Sequence, residues 1–368
     1  MKCGMTIMLG FLILSMFVLS LKKYAGETVN VYGWYGIIPS EIFADFEKET
    51  GIKVIYDVYD NNDMLEAKLL ATNSGYDVVV PSFIPYAARQ CAMGTYSKLN
   101  RDDISNWKNI EGDVTEHFRK AGGNTDYLVP LFWGTVGIAY DAGVVSRVFQ
   151  NKEKISYDTI LNPDKLCRLA KFGVSFPEEY IDIFPQTHVY LKLAGDRMKS
   201  PDDIRAYGEH FKKIRKYIKK FSSSTMINDL ICGEVVAAIG SSDNSWRAKN
   251  AARKIGRDVR YVIPEGVGVL WIDCVGIPAK APHKKNAHKF VNYLLRRDVA
   301  AKITNRSGIL TNIPSARGFF DQDIVGDDQI CPSDVSKLII GSPSRSAEEL
   351  QFEKMATRAW SQIRMGVQ

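Results

Sequence analysis

The chain has little of what a catalyst or a metal site needs. It contains no G-x-S-x-G turn, no H-E-x-x-H helix and no G-x-x-x-x-G-K-[ST] loop, which removes the common nucleophile, zinc and phosphate-cradling arrangements. Ser241, Ser242 and Asp243 stand together without a histidine nearby in sequence to activate a hydroxyl. The five histidines form no helical pair and no cluster with acids, and none of the 17 tyrosines adjoins another, so the usual donor sets for a transition metal or a ferric ion are missing. Apart from Cys3, the cysteines at 91, 167, 232, 274 and 331 are spaced too widely for a metal-binding pattern. One disulfide between Cys167 and Cys232 is conceivable, with buried free thiols the simpler expectation. No metal and no cofactor are expected.

Charge of one sign is also scarce. The formal charge is +6, and the first 25 residues carry three lysines and no acids, so the remainder has +3. That excess is spread out, with no stripe suited to nucleic acid. The densest basic run, 212–220, keeps its apolar residues at helical spacing and is expected to be the solvated face of an amphipathic helix.

What is present describes a folded extracytoplasmic protein. Hydrophobic content of 45% and charged content of 24% are globular values, and 368 residues are too many for one ordinary core, which predicts two lobes. Residues 1–26 begin with Lys2, run through an uncharged apolar stretch to Leu21 and leave through Lys22, Lys23, Ala25 and Gly26. This is the order of a secretory signal, with an uncleaved membrane anchor as the alternative. Both place the body outside the cytoplasm.

From Thr28 onward, strands at 28–34, 52–59 and 76–80 alternate with helices at 39–50 and 63–71, the pattern of a parallel sheet with helices on its faces. The apolar run 128–140, interrupted at Gly134, could leave one lobe and enter the other. Ser200, Pro201, Asp202 and Asp203 form a helix start, with hydroxyl cap, first-turn proline and acids at the positive end of the dipole. Strands are expected at 235–240 and 259–264, and helices at 287–295 and 347–364.

The most telling stretch is 266–278, which holds Trp271 and Asp273 two residues apart. Strand side chains repeat every second residue, so the indole and the carboxylate share a face. A flat ring beside a carboxylate suits an alkyl-ammonium: the ring packs on methylenes and attracts the cation, while the carboxylate pairs with the nitrogen.

With its neighbours, this pair carries a resemblance. Tyr32-Gly33-Trp34, the stretches 46–54 and 76–82, Val129-Pro130 with Trp133-Gly134 and Gly137-Ile138, and 173–176 come first; Ile227 to Asp229, Ala238 to Gly240, Trp271 to Asp273 with Ile277 to Ala279, 292–295 and Arg358 to Trp360 follow. Together, in this order over roughly 27–365, they resemble the periplasmic polyamine-binding proteins, the soluble receptors of ABC importers for putrescine and spermidine.

The resemblance implies an α/β, two-lobed periplasmic-binding-protein-like fold. Each lobe would be a mostly parallel sheet flanked by helices, with the ligand cleft between them. The first lobe would take 27–134 and about 265–325, the second about 135–264 and about 326–368. It implies a monomeric receptor whose lobes close over an amine-containing solute, delivered to permease subunits in the inner membrane, with no covalent chemistry. In the family's cleft, rings sandwich the polyamine chain and acids hold its nitrogens. Trp34, Ser82, Trp271 and Asp273 fall on such positions, and Asp182 falls near the family's acid, with Glu178 and Glu179 competing for that place.

Departures accompany the matches. After Trp34, where the family is polar or acidic, stand Tyr35, Gly36 and Ile37. Where the family has a stacking tryptophan and, in diamine binders, an acid three residues on, this chain has Ser241 and Asn244; Asp243 could substitute only if the loop shifts. A later family tyrosine has no counterpart in 306–310. These losses predict a ligand with a single cationic nitrogen, or a smaller, less charged amine-containing solute, because an uncompensated buried charge is expensive. The alternatives are a receptor for another solute, or an envelope sensing or interaction protein with a degenerate cleft.

Overall fold

The computed structural model describes residues 27–71, 74–193, 200–265, 268–340 and 347–366. The expected signal or anchor, and Gly266 and Val267 of the tryptophan-aspartate stretch, lie outside the described residues. Among these, no helix is long and apolar enough to cross a membrane.

Strands β1 (Thr28–Trp34), β2 (Lys53–Tyr59) and β3 (Val78–Val79) pair in parallel. The helix between the first two, Ser40–Thr50, buries Ile42 and Phe46 and ends at Gly51, whose φ of 72° needs a residue without Cβ. The run expected to pass between lobes is one uninterrupted strand, β4 (Leu128–Asp141), of 14 residues. It bulges between Pro130 and Phe132, where proline has no N–H for the ladder. It does not break at Gly134.

The remaining strands named here are β5 (Val174–Phe176), β6 (Lys220–Phe221), β7 (Ala237–Ser241), β8 (Val259–Val262) and β9 (Gly268–Gly276). The sheet runs β2-β1-β3-β9-β4-β7-β5-β6, with β8 also on β4. β9 lies antiparallel to β4 over Leu128 to Val136, and β4 goes on to pair with β7 and β8. Two long antiparallel strands therefore carry the sheet from one half of the molecule to the other.

Two cores form on this frame. One gathers Val29, Phe46, Phe83, Phe118, Phe290 and Ile303; the other gathers Phe176, Phe184, Tyr207, Phe211 and Trp360. The first also takes in Ala248, Ala252 and Tyr261. The last helix, Ala347–Met365, belongs to the second core: Trp360 meets Phe184, Phe211 and Phe221 edge-on at centroid distances of 5.0–5.5 Å.

Two local expectations change. The basic run 212–220 is not a single helical face: helix Pro201–Ile214 stops, a 3-10 turn covers Arg215–Tyr217, and Lys220 enters β6. The Arg215 guanidinium binds the carbonyls of Ile363 and Arg364, so it serves the end of the last helix rather than solvent. Cys167 and Cys232 are free and exposed, whereas Cys274 and Cys331 are free and buried.

Candidate functional site

The crossing strands place the site. Gly134 on β4 stands opposite Trp271 on β9, and a Cβ on Gly134 would lie 2.4 Å from the indole Cζ2 and 2.7 Å from Ser242 Oγ. Only glycine lets the half-buried indole lie across the strand there. The Trp271 Nε1–H donates to the Thr135 carbonyl at 3.3 Å, and the Thr135 N–H donates to Ser242 Oγ at 3.1 Å, which ties the ring to the turn after β7.

Two residues along β9, Asp273 points to the same face. It is 6% exposed. Ser82, just past β3, bridges to it through the backbone and donates its hydroxyl to Oδ1 at 2.7 Å. Among the described residues no lysine or arginine is ion-paired with it. Burial pushes its carboxyl up to about 7, against the Ser82 hydrogen bond, and the nearby Asp243 and Asp182 push in the same direction. An acid so deep, with a hydroxyl rather than a cation as its partner among the described residues, favours an incoming cation.

Aromatic rings back it. Trp34, at the end of β1, packs on Tyr59 with centroids 4.5 Å apart, and its carbonyl accepts from the Tyr56 hydroxyl at 2.7 Å. Both phenols are raised above their ordinary values by burial and then by the Asp273 charge, which places them near that carboxyl. The Trp34 Nε1 is buried without a hydrogen-bond partner among the described residues, as is Trp246 Nε1.

Acids come to the cleft from the other side. Asp182 ends the 3-10 turn Tyr180–Asp182, and burial pushes it up to about 7. Glu179, three residues before, is pushed up to about 8 by burial and then by Asp182, Asp63, Glu178 and Asp273. Sequence reasoning set Glu179 aside as a rival of Asp182; in the fold the two are companions. The signal was present in the consecutive acids 178 and 179 after a strand-ending Pro177, but sequence does not tell which of them turns inward. The loop is fixed at its start: the Glu178 carbonyl accepts from Trp360 Nε1 at 3.0 Å and from Arg364 at 2.7 Å.

The remaining expected residues are placed differently. Asp243 is buried at the start of helix Ser242–Arg253, but its Oδ2 is held by Arg247 at 2.7 Å, one helical turn on, so its charge is largely compensated. Ser241 precedes that helix and gives its carbonyl to the Ser245 hydroxyl at 2.7 Å. Asn244 is half-buried in the first turn of that helix. Tyr35 is 81% exposed and stands outside the cluster.

Comparison with known proteins identifies the family and the fold. Residues 41–327 match the family of bacterial extracellular solute-binding proteins. The chain is 36% identical to the putrescine-binding periplasmic protein SpuD of Pseudomonas aeruginosa and 33% identical to the putrescine-binding periplasmic protein PotF of Escherichia coli, in each case over 92% of both chains. Among solved structures it is similar to a spermidine/putrescine ABC transporter protein of Listeria monocytogenes, with a TM-score of 0.78 at 21% identity over 91% of this chain and 99% of that one. The substrate-binding protein PotD of Streptococcus pneumoniae gives a TM-score of 0.75 at 20% identity, over 92% and 100%.

Proposed function

The chain belongs to the bacterial extracellular solute-binding protein family, and from that membership we propose that it captures a polyamine between its lobes and hands it to the permease of an ABC importer. One observation carries the ligand class: Asp273 is deeply buried beside the Trp271 ring with a hydroxyl, not a cation, as its partner. An ammonium there gains a carboxylate and an aromatic face together.

The acids opposite set the number of charges. The expectation of one cationic nitrogen rested on Asp273 with at most Asp182 or Asp243 beside it. Asp243 is held by Arg247, but Glu179 stands beside Asp182, which gives the loop two acids where one was expected. This favours a diamine or longer polyamine, which spreads its ammonium groups along a chain that the rings can cover.

In this reading the lobes are 27–134 with about 265–325, and about 135–264 with about 326–368. The second core, drawn from 136–239 and the last helix apart from Val269, supports that division, while the first core also reaches into the second span through Ala248, Ala252 and Tyr261. The protein acts in the periplasm as a monomer, and its work is binding and closure with no bond made or broken. Ligand biases a two-state equilibrium through contacts that only the shut form offers.

Calorimetry with putrescine, spermidine and a panel of amino acids and monoamines tests the reading. Preferred, tight binding of a polyamine is expected, and preference for a monoamine or an amino acid would overturn it. A degenerate cleft that no longer serves transport is favoured by one feature, the Asp243–Arg247 pair. Polyamine uptake lost on deleting the gene and restored by the intact chain would exclude that alternative.

A further inference from the structure

A cluster on the rim of the cleft, next to Glu179, joins the two halves of the molecule. Arg89 lies on helix Ala88–Ala92, beside β3 and the first core. Its guanidinium is set in place by its own half: Nε and Nη2 bind the two oxygens of Glu66 at 2.8 and 2.6 Å, and the Tyr86 ring lies under it, 4.5 Å from the guanidinium carbon to the ring centroid. The Tyr86 hydroxyl is held by Asp63 at 3.0 Å, and Gln90 Nε2 donates to Glu66 at 3.2 Å. One nitrogen, Nη1, points away from this arrangement and reaches Glu353 Oε2 at 3.5 Å.

Glu353 sits 264 residues further along the chain, on the last helix, Ala347–Met365. That helix is fastened to the second core through Trp360, and it holds the acid-bearing loop through the bonds of Trp360 and Arg364 to the Glu178 carbonyl. Near Glu353 stands Tyr180, on the same 3-10 turn as Asp182, and the Glu353 charge helps to raise its phenol. One helix therefore touches the opposite half at one point and the ligand-binding loop at another.

We propose that the Arg89–Glu353 pair is a closure latch, and that these two are positioning residues for capture: the pair forms when the lobes shut and its strength sets how long they stay shut. Three features support it. The helices that carry the partners pack against different cores, Ala88 and Cys91 on the first and Phe352 and Ala356 on the second, so the pair joins the two halves. Glu66 and Tyr86 hold the guanidinium ready whether or not Glu353 is near, so the latch orders little that was free. The side chains are 27% and 14% exposed, which places the contact between a surface pair and a buried one and gives it more weight than an exposed bridge.

The proposal rests on the lobe-closing reading above but not on the identity of the ligand. The test compares wild type with Glu353→Gln, Glu353→Lys, Arg89→Gln and the double variant R89Q/E353Q. The first readout is the distance between spin labels placed on the two lobes, measured without and with putrescine; the second is putrescine dissociation by stopped flow.

Glu353→Gln is expected to speed dissociation by about threefold to tenfold, on the scale of a partly desolvated charge pair. Glu353→Lys, which faces Arg89 with a like charge, should act more strongly and shift the distances toward the open form. The double variant should be no worse than the worse single one, the coupling expected of residues that act through each other. Unchanged distances and dissociation in both Glu353 variants, or strict additivity in the double, would overturn the latch. If putrescine fails to bind wild type, the polyamine reading falls, and the label distances of wild type against Glu353→Lys without ligand still decide the latch.

Discussion

The two walls of the cleft carry a buried aspartate each and treat it in opposite ways. On the β9 wall, Asp273 has a serine hydroxyl and aromatic neighbours, and burial holds its carboxyl near 7. On the β7 wall, Asp243 has Arg247 at 2.7 Å, itself steadied by the Ser307 carbonyl at 2.9 Å. The first charge lacks a partner that a ligand can supply; the second already has one. The difference is that a buried carboxylate recognises a cation only where the fold declines to neutralise it.

The sharpest way to break this comparison is to remove each charge in turn. Asp273→Asn keeps the shape and the contact with Ser82 but removes the anion, and putrescine affinity should fall on the order of a hundredfold, about 3 kcal/mol. The ligand-free variant should melt higher than wild type at pH 8, because a costly buried charge has gone. Asp243→Asn should weaken binding by no more than about threefold, since Arg247 already screens that carboxylate, and it should lower Tm by leaving the guanidinium half-satisfied. Equal losses in the two variants would erase the distinction between the walls.

Trp271→Ala should cost about tenfold to thirtyfold in affinity, the worth of a desolvated cation–aromatic contact with its packing. Gly134→Ala should reproduce part of that loss from a residue that never touches ligand, because its methyl would stand where the indole lies. A Gly134→Ala protein with unaltered affinity and tryptophan fluorescence would show that the ring needs no such floor.

The smallest effect expected is a pH dependence, and its sign follows from the raised carboxyls. In the unfolded chain Asp and Glu titrate near 4. In the folded chain Asp273 and Asp182 titrate near 7 and Glu179 near 8, so the folded state binds the extra protons between about pH 4 and 8. This contribution therefore favours folding below about pH 4 and is lost as pH rises through 7 to 8. A bound ammonium lowers the same carboxyl pKa values, so binding releases protons and affinity should rise from pH 6 to pH 8. Calorimetry in buffers of different ionisation enthalpy measures that release, and its absence would mean the acids are already charged before ligand arrives.

Much of this was legible in the chain. Alternation and spacing placed β1, β2 and the helix Ser40–Thr50 within a residue or two, because each buries one face at a clear period. The pairing of Trp271 with Asp273 followed from strand geometry alone. What sequence did not reveal depended on contacts between distant residues. The Asp243–Arg247 pair is the local exception: four residues is the spacing at which helix side chains meet, so once 242–253 is a helix the sequence itself marks Asp243 as paired. The inward turn of Glu179 depends on Trp360 and Arg364 gripping the carbonyl before it, from more than 180 residues away. Gly134 read as a break in a strand; in three dimensions it is the surface on which the indole rests.

Capture of a cation in this cleft depends above all on the charge at Asp273. Titrating putrescine into wild type and Asp273→Asn at pH 8, where the carboxylate is ionised, tests it most directly. Tight binding by wild type with a loss near a hundredfold in the variant is the predicted result, and wild-type affinity in the variant would contradict it.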